Sequence, residues 1–234
     1  MASNQPAEAI APYVLLGMTA VTGLVDAVSL LSLGRVFAAN MTGNIVFMAF
    51  ATARVSDPSI TLSVTALVSF LTGAMLGGRI MARGSVESHM RFAAQAFLLE
   101  VVALTAAALC GIGYKGDVWE PSGRPLALIA LLALAMGTRT AAVRKLAIPD
   151  LTTTVLTLTL AGIAADSSLA GGNNVRLARR IASVLAMFSG AALGAVVIGY
   201  SIAAALGLAA AISALCTAAL YRSLRTSDAM ARIV

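Results

Sequence analysis

The residues of this chain whose types suggest chemistry begin in "FAANMTGNIV", residues 37–46, where Asn40, Thr42, Gly43 and Asn44 interrupt an otherwise apolar run. Asn and Thr side chains cap helices by accepting from the first free N–H groups, Gly lets a ligand or another backbone approach closely, and Asn44 adds both donors and acceptors. A second short block, "LTTTVLTLTLAGIA" at residues 151–164, repeats this chemistry. There Asp150, after Pro149, reads as an N-cap, and Thr152, Thr153, Thr154, Thr157 and Thr159 supply hydroxyls. A helix that starts inside a membrane presents unpaired N–H groups and the positive end of its dipole, a site for an anion, a carboxylate or the oxygens of a polar solute. The blander reading is that each hydroxyl bonds a carbonyl of its own or a neighbouring helix.

Three ionisable residues stand inside apolar blocks: Asp26 in "TGLVDAVSL", Glu100 in "FLLEVVAL" and Arg139 in "LAMGTRTAAV". A charge at that depth is costly, so each should be neutral, paired or facing a polar cavity. Asp26 is the strongest candidate for coupling a proton or Na⁺, with capping of a nearby half-helix as its structural alternative. Glu100, flanked by large apolar side chains, is expected in its neutral form and is open equally to proton coupling and to a structural hydrogen bond. Arg139 lies close to the end of its block and is expected to snorkel to the interface as an anchor. Cys110 and Cys216 lie in separate apolar blocks and the single histidine, His89, lies in a polar loop, so neither a metal site nor a disulfide framework is expected. With no acidic pair at useful spacing and no cofactor motif, an enzyme is the weakest functional class.

These groups have to be positioned by membrane helices. The 234 residues are 59% hydrophobic and only 11% charged, with a mean hydropathy of +0.92, outside the usual range of soluble domains. Apolar blocks near 11–33, 60–82, 92–113, 125–141, 181–199 and 201–221 have the length of a helical crossing, and they do not alternate as barrel strands do. The first block is too long for a signal-peptide core and contains Asp26, so it is expected to be a retained span. The blocks at 41–53 and 151–164 are short for a crossing. The net charge of +6 is spread over the short connections without aromatic interleaving, which argues for membrane topology rather than nucleic-acid binding.

If the short blocks crossed the bilayer, the basic residues would divide nine against seven between the two faces. If both dip in and return, twelve gather on one face: Arg79, Arg83, Arg91, Arg139, Arg144, Lys145, Arg176, Arg179, Arg180, Arg222, Arg225 and Arg232. Four remain opposite, Arg35, Arg54, Lys115 and Arg124, together with Asp57, Asp117, Glu120 and the lone Trp119. The positive-inside rule therefore favours an all-α, polytopic bundle of six full spans plus two half-crossing segments, with both termini cytoplasmic. The whole chain, 1–234, forms one transmembrane domain whose halves, approximately 11–113 and 125–221, make a weak inverted repeat. The stretches "RVFAANMTGNIVFMAF" and "RKLAIPDLTTTVLTLTL" carry that repeat. Gly73 with Gly77, and Gly190 with Gly194, have the G-x-x-x-G spacing that lets helices pack closely, within the chain or between copies.

The run "GLVDAVSLLSLGRVFAANMTGNIV" resembles the signature of the YoaK-like family of small polytopic bacterial membrane proteins, through Asp26-Ala27, Ser29, Gly34, Phe37, Asn40 and Thr42-Gly43-Asn44. The resemblance covers nearly the whole chain. The second half departs from the family's pattern, with Arg139-Thr140 where members resemble one another in a Gln-Asn pair, and Thr157-Leu158-Thr159 in place of Thr-Gly-Thr. The resemblance implies a fold similar to one half of the larger anion and nucleobase transporters, which pair an extended stretch with a half-helix. It also implies residence in the bacterial inner, cytoplasmic membrane. The expected function is a secondary transporter or channel for a small polar or anionic solute, working as a homodimer in the lipid bilayer. Asn40, Thr42, Gly43, Asn44, Thr153, Thr154 and Thr157 would bind solute, and Asp26 and Glu100 would couple an ion. The alternative is a non-transporting assembly or stress-linked membrane protein whose buried polar groups specify packing.

Overall fold

The computed structural model describes residues 5–53, 60–84, 88–118, 123–151, 153 and 156–231. Of the residues named above, Arg54, Asp57, Trp119, Glu120, Thr152, Thr154 and Arg232 lie outside this set. The chain is helical: α1 Gln5–Ser32, α2 Met41–Thr52, α3 Ile60–Met81, α4 His89–Cys110, α5 Arg124–Leu146, α6 Leu156–Ala165, α7 Leu177–Ile198 and α8 Ile202–Ala231. Helices α3, α4 and α7 have 22 residues each, about 33 Å long, enough for hydrocarbon about 30 Å thick. With 12 and 10 residues, α2 and α6 reach only about 18 and 15 Å. Among the described residues, six helices are long and apolar enough to cross a membrane. Their outward faces carry exposed Val68, Met75, Val102, Phe188 and Val196, the pattern of a surface solvated by lipid.

Two apolar layers establish the direction of each span. One joins the end of α1 (Val28) and Leu33 just after it, the start of α3 (Leu62), the end of α4 (Ala107), the start of α5 (Leu128) and the start of α8 (Ile202). The other joins the start of α1 (Ala7), the end of α3 (Met81), the start of α4 (Ala93), the end of α5 (Val143) and the end of α8 (Leu224). Helix α3 therefore starts on the face where α1 ends, so the chain through α2 enters and leaves by one face. The Tyr114 hydroxyl, just beyond α4, donates to the Ser32 carbonyl at 3.3 Å and ties that face together. Helix α7 likewise starts beside the end of α5, through Arg180 and Asp150. Both termini emerge on one face, and α1 and α5 run in opposite directions.

The packing repeats across the two halves. Exchanging α1 with α5, α2 with α6, α3 with α7 and α4 with α8 turns the α3·α5 contact into α7·α1 and α4·α5 into α8·α1. It also turns α2·α3 into α6·α7, and leaves α4·α8 in place. The elements keep register, since α3 and α7 match end for end at an offset of 117 residues, while α1 and α5 end 114 apart at Ser32 and Leu146. A Cβ on Gly73 or Gly77 would strike the carbonyl oxygens of Leu134 and Thr138 in α5, and one on Gly190 or Gly194 would strike those of Ala20 and Leu24 in α1. These are the same pairs under the same two offsets. The G-x-x-x-G spacings thus pack helices of this one chain, in two parallel pairs that each join one half to the other.

Candidate functional site

The first re-entrant hairpin is built from the polar stretch of residues 37–46. After α1 the chain reverses through Gly34 and Arg35, both at positive φ (86° and 57°), and descends beside the span it has just left. The Asp26 carboxylate accepts from Ala39 N–H at 3.1 Å. Asn44, fully buried, accepts from Phe37 N–H at 2.8 Å and donates from Nδ2 to the Phe37 carbonyl at 2.7 Å. The Phe37 ring stacks on Phe47, centroids 6.0 Å apart and planes within 6°. Phe37 thus lies beside the first two turns of α2, which an onward-running chain would have carried away from it. Helix α2 accordingly turns back toward its entry face. Gly43 is needed here because a Cβ would come within 2.7 Å of the Phe37 ring. Asn40 holds the N-cap position without a side-chain capping bond, and Asn40 and Thr42 are both exposed.

The second hairpin is held differently. Asp150 lies six residues before α6 begins at Leu156, so it does not cap that helix. At positive φ (64°) it turns its carboxylate to the start of α7, where Oδ1 pairs with Arg180 Nε at 3.0 Å and Oδ2 with Arg176 Nε at 2.8 Å. Arg180 Nη1 also reaches Asp166 at 2.7 Å and donates to the Gly162 carbonyl at 2.6 Å, holding the C-terminal end of α6 to α7. Thr153, at φ 59°, is buried with its hydroxyl unpartnered among the described residues. Thr157 is exposed on the first turn of α6.

The third polar centre lies inside the bundle, and it corrects the expectation that Arg139 snorkels. Arg139 and Glu100 are both fully buried and form a salt bridge at 2.9 Å between α5 and α4. Measured along the helices from the terminal face, Arg139 is seven residues from the end of α5 and Glu100 is 11 from the start of α4. That is too deep for the interface and close enough in depth to meet. Arg139 further donates to the Met18 carbonyl at 3.0 Å and to the Thr22 hydroxyl at 2.5 Å, which ties in α1. Glu100 Oε2 has no partner at hydrogen-bond geometry among the described residues. The Ser213 hydroxyl of α8, which faces the same carboxylate, is bonded to Met18 Sδ at 3.7 Å. Met18, Thr22 and Asp26 recur every fourth residue of α1, so the stripe that receives Arg139 leads one turn further to the carboxylate holding the first hairpin.

The structure therefore brings Asp26 and Asn44 onto one backbone segment and Glu100 onto Arg139. The partner relations escape sequence reasoning, although the matching depths of Glu100 and Arg139 are a signal that could have found that pair. The roles of Asp166 and Arg180 leave no comparable mark in the sequence.

Against known proteins, residues 14–219 match the family described as "Protein of unknown function (DUF1275)". The chain is 36% identical over 155 residues to the "UPF0700 transmembrane protein YoaK" of Bacillus subtilis (strain 168), a similarity covering 66% of this chain and 65% of that protein, just under two thirds of its length. No solved structure matches.

Proposed function

Since the chain belongs to the DUF1275 family and is a multi-pass membrane protein, we propose that it is a secondary transporter or channel for a small polar or anionic solute. One observation carries this reading: the helix contacts are unchanged when the two halves are exchanged, while a re-entrant half-helix enters from each face. Inverted repeats with interrupted helices are the architecture in which one half rocks against the other around a fixed site, with half-helix N-termini aimed at anionic groups. Asn40, Thr42 and the free N–H groups of α2 form one wall of the solute path. Thr153 and Thr157 form the other, supported by the Thr153 hydroxyl that is unpartnered among the described residues, while Thr154, expected with them, lies outside the described residues. Asp26 and Glu100 couple a proton or Na⁺, because both are buried carboxylates within spans, Glu100 paired with Arg139 and Asp26 accepting from the Ala39 N–H. The protein works as a homodimer in a bacterial inner membrane, with both termini on the basic, cytoplasmic face.

The test is a thermal-shift screen of the purified protein against small anions, carboxylates, amino acids and nucleobases at two pH values, followed by uptake of any stabilising solute into reconstituted vesicles. Uptake that depends on a pH or Na⁺ gradient and is abolished by Asp26→Asn is the expected result. Failure of every stabilising solute to enter the vesicles rejects transport. A non-transporting packing role is the second reading, favoured by the fact that Asn44 and Asp26 bond the chain's own backbone at residues 37 and 39. Under it, cysteines placed at 40–44 react with no membrane-impermeant thiol reagent.

A further inference from the structure

A groove of about 360 Å³ runs along the outside of the bundle between α4 and α8, at the end nearer the termini. Its walls are apolar, with Leu98 of α4 facing Ala214, Ala218 and Tyr221 of α8, and its rim carries Arg222 and Arg225. Both arginines are exposed and neither is ion-paired among the described residues.

Their depth is set by the helix. With α8 starting at Ile202, a rise of about 1.5 Å per residue puts Arg222 about 30 Å along the axis, at the far edge of the hydrocarbon, and Arg225 about 4.5 Å beyond it. Ala214 lies about 12 Å back toward the bilayer centre. The groove therefore spans one leaflet, apolar where acyl chains lie and doubly cationic where headgroups lie. Small Ala side chains open the slot, and Tyr221 occupies the level at which aromatic residues settle in the interface. Bidentate guanidinium groups suit a phosphate oxygen, and basic pockets between spans on this kind of face receive anionic headgroups.

We infer that this groove is a binding site for an anionic phospholipid, one acyl chain lying along Leu98, Ala214 and Ala218 and the phosphate held by Arg222 and Arg225. The site lies on the outer surface of α4 and α8, so it stands whether or not the protein carries a solute.

The experiment uses the full chain in zwitterionic detergent, with bound lipid counted by native mass spectrometry. The probes are phosphatidylglycerol and phosphatidylcholine of identical acyl chains, with glycerol phosphate as the chain-free control. Wild type is expected to retain phosphatidylglycerol about thirtyfold more tightly than phosphatidylcholine, from the typical contribution of two interfacial arginines. R222Q/R225Q is expected to lose that preference, and A218F, which fills the slot, to weaken both lipids. Equal retention of the two lipids by wild type overturns the proposal, as does a preference that survives R222Q/R225Q. Full competition by glycerol phosphate, or cross-linking of two copies through a cysteine at Leu98, also overturns it. If R222Q/R225Q does not yield folded protein, A218F decides: unchanged lipid retention in that variant rejects the groove.

Discussion

Glu100 and Arg139 show what one buried pair requires. Each alone would leave an uncompensated charge in the bundle, so Glu100→Gln or Arg139→Met singly should each cost about 3–5 kcal/mol, whereas Glu100→Leu with Arg139→Met should restore most of that loss. A double-mutant cycle on denaturant unfolding in detergent measures it. Asn44→Ala leaves the N–H and carbonyl of Phe37 without their partners, and a loss of about 2–4 kcal/mol is expected. Asp26→Asn keeps an oxygen for the Ala39 N–H and should melt within a few degrees of wild type, while Asp26→Ala should melt earlier. That contrast separates the two roles of Asp26: if Asp26→Asn is stable but its solute-dependent stabilisation no longer changes with pH, the carboxylate titrates during function. If Asp26→Asn behaves as wild type at every pH, its work is confined to the hairpin.

At the scale of elements, the glycines give the most selective test. Gly77→Ala should destabilise, since the new methyl meets the Thr138 carbonyl oxygen and Ala141, whereas Gly78→Ala, with nothing within reach, should gain up to about 1 kcal/mol from helix propensity. Melting temperatures of the two neighbouring variants decide it, and equal shifts would mean that α3 and α5 do not pack as described. The elements themselves are legible in the sequence because hydrocarbon thickness and helix rise fix the length of a span, and "MTGNIVFMAFATA" and "LTTTVLTLTLAGIA" are visibly too short. The charge bias of the connections likewise reveals that both blocks return to the face they left. What holds the hairpins is not legible. Asp150 reads as a cap, yet it serves Arg180 thirty residues away, and Arg139 meets Glu100 across 39 residues. Such pairings depend on which faces of distant helices meet, and a local pattern of residue types carries no record of that.

For the whole molecule, the basic residues still gather on the face of the termini once Arg139 is placed inside the bundle. A fluorescent protein fused after Val234 should therefore fluoresce in the cytoplasm, and alkaline phosphatase fused there should stay inactive; the reverse pattern would invert the topology. The exchange symmetry also means that the long helices of each half pack mainly against the other half, α1 against α7 and α3 against α5. That interlocking has a cost in time during synthesis. At roughly 5–20 residues per second, the ribosome finishes α7 on the order of ten to thirty seconds after α1. Through that interval the first helix, with Asp26 and Thr22 along one side, waits in the membrane without the neighbour on which Gly23 closes. The polar groups that organise the finished protein are thus the ones a membrane insertase must shelter in the growing chain.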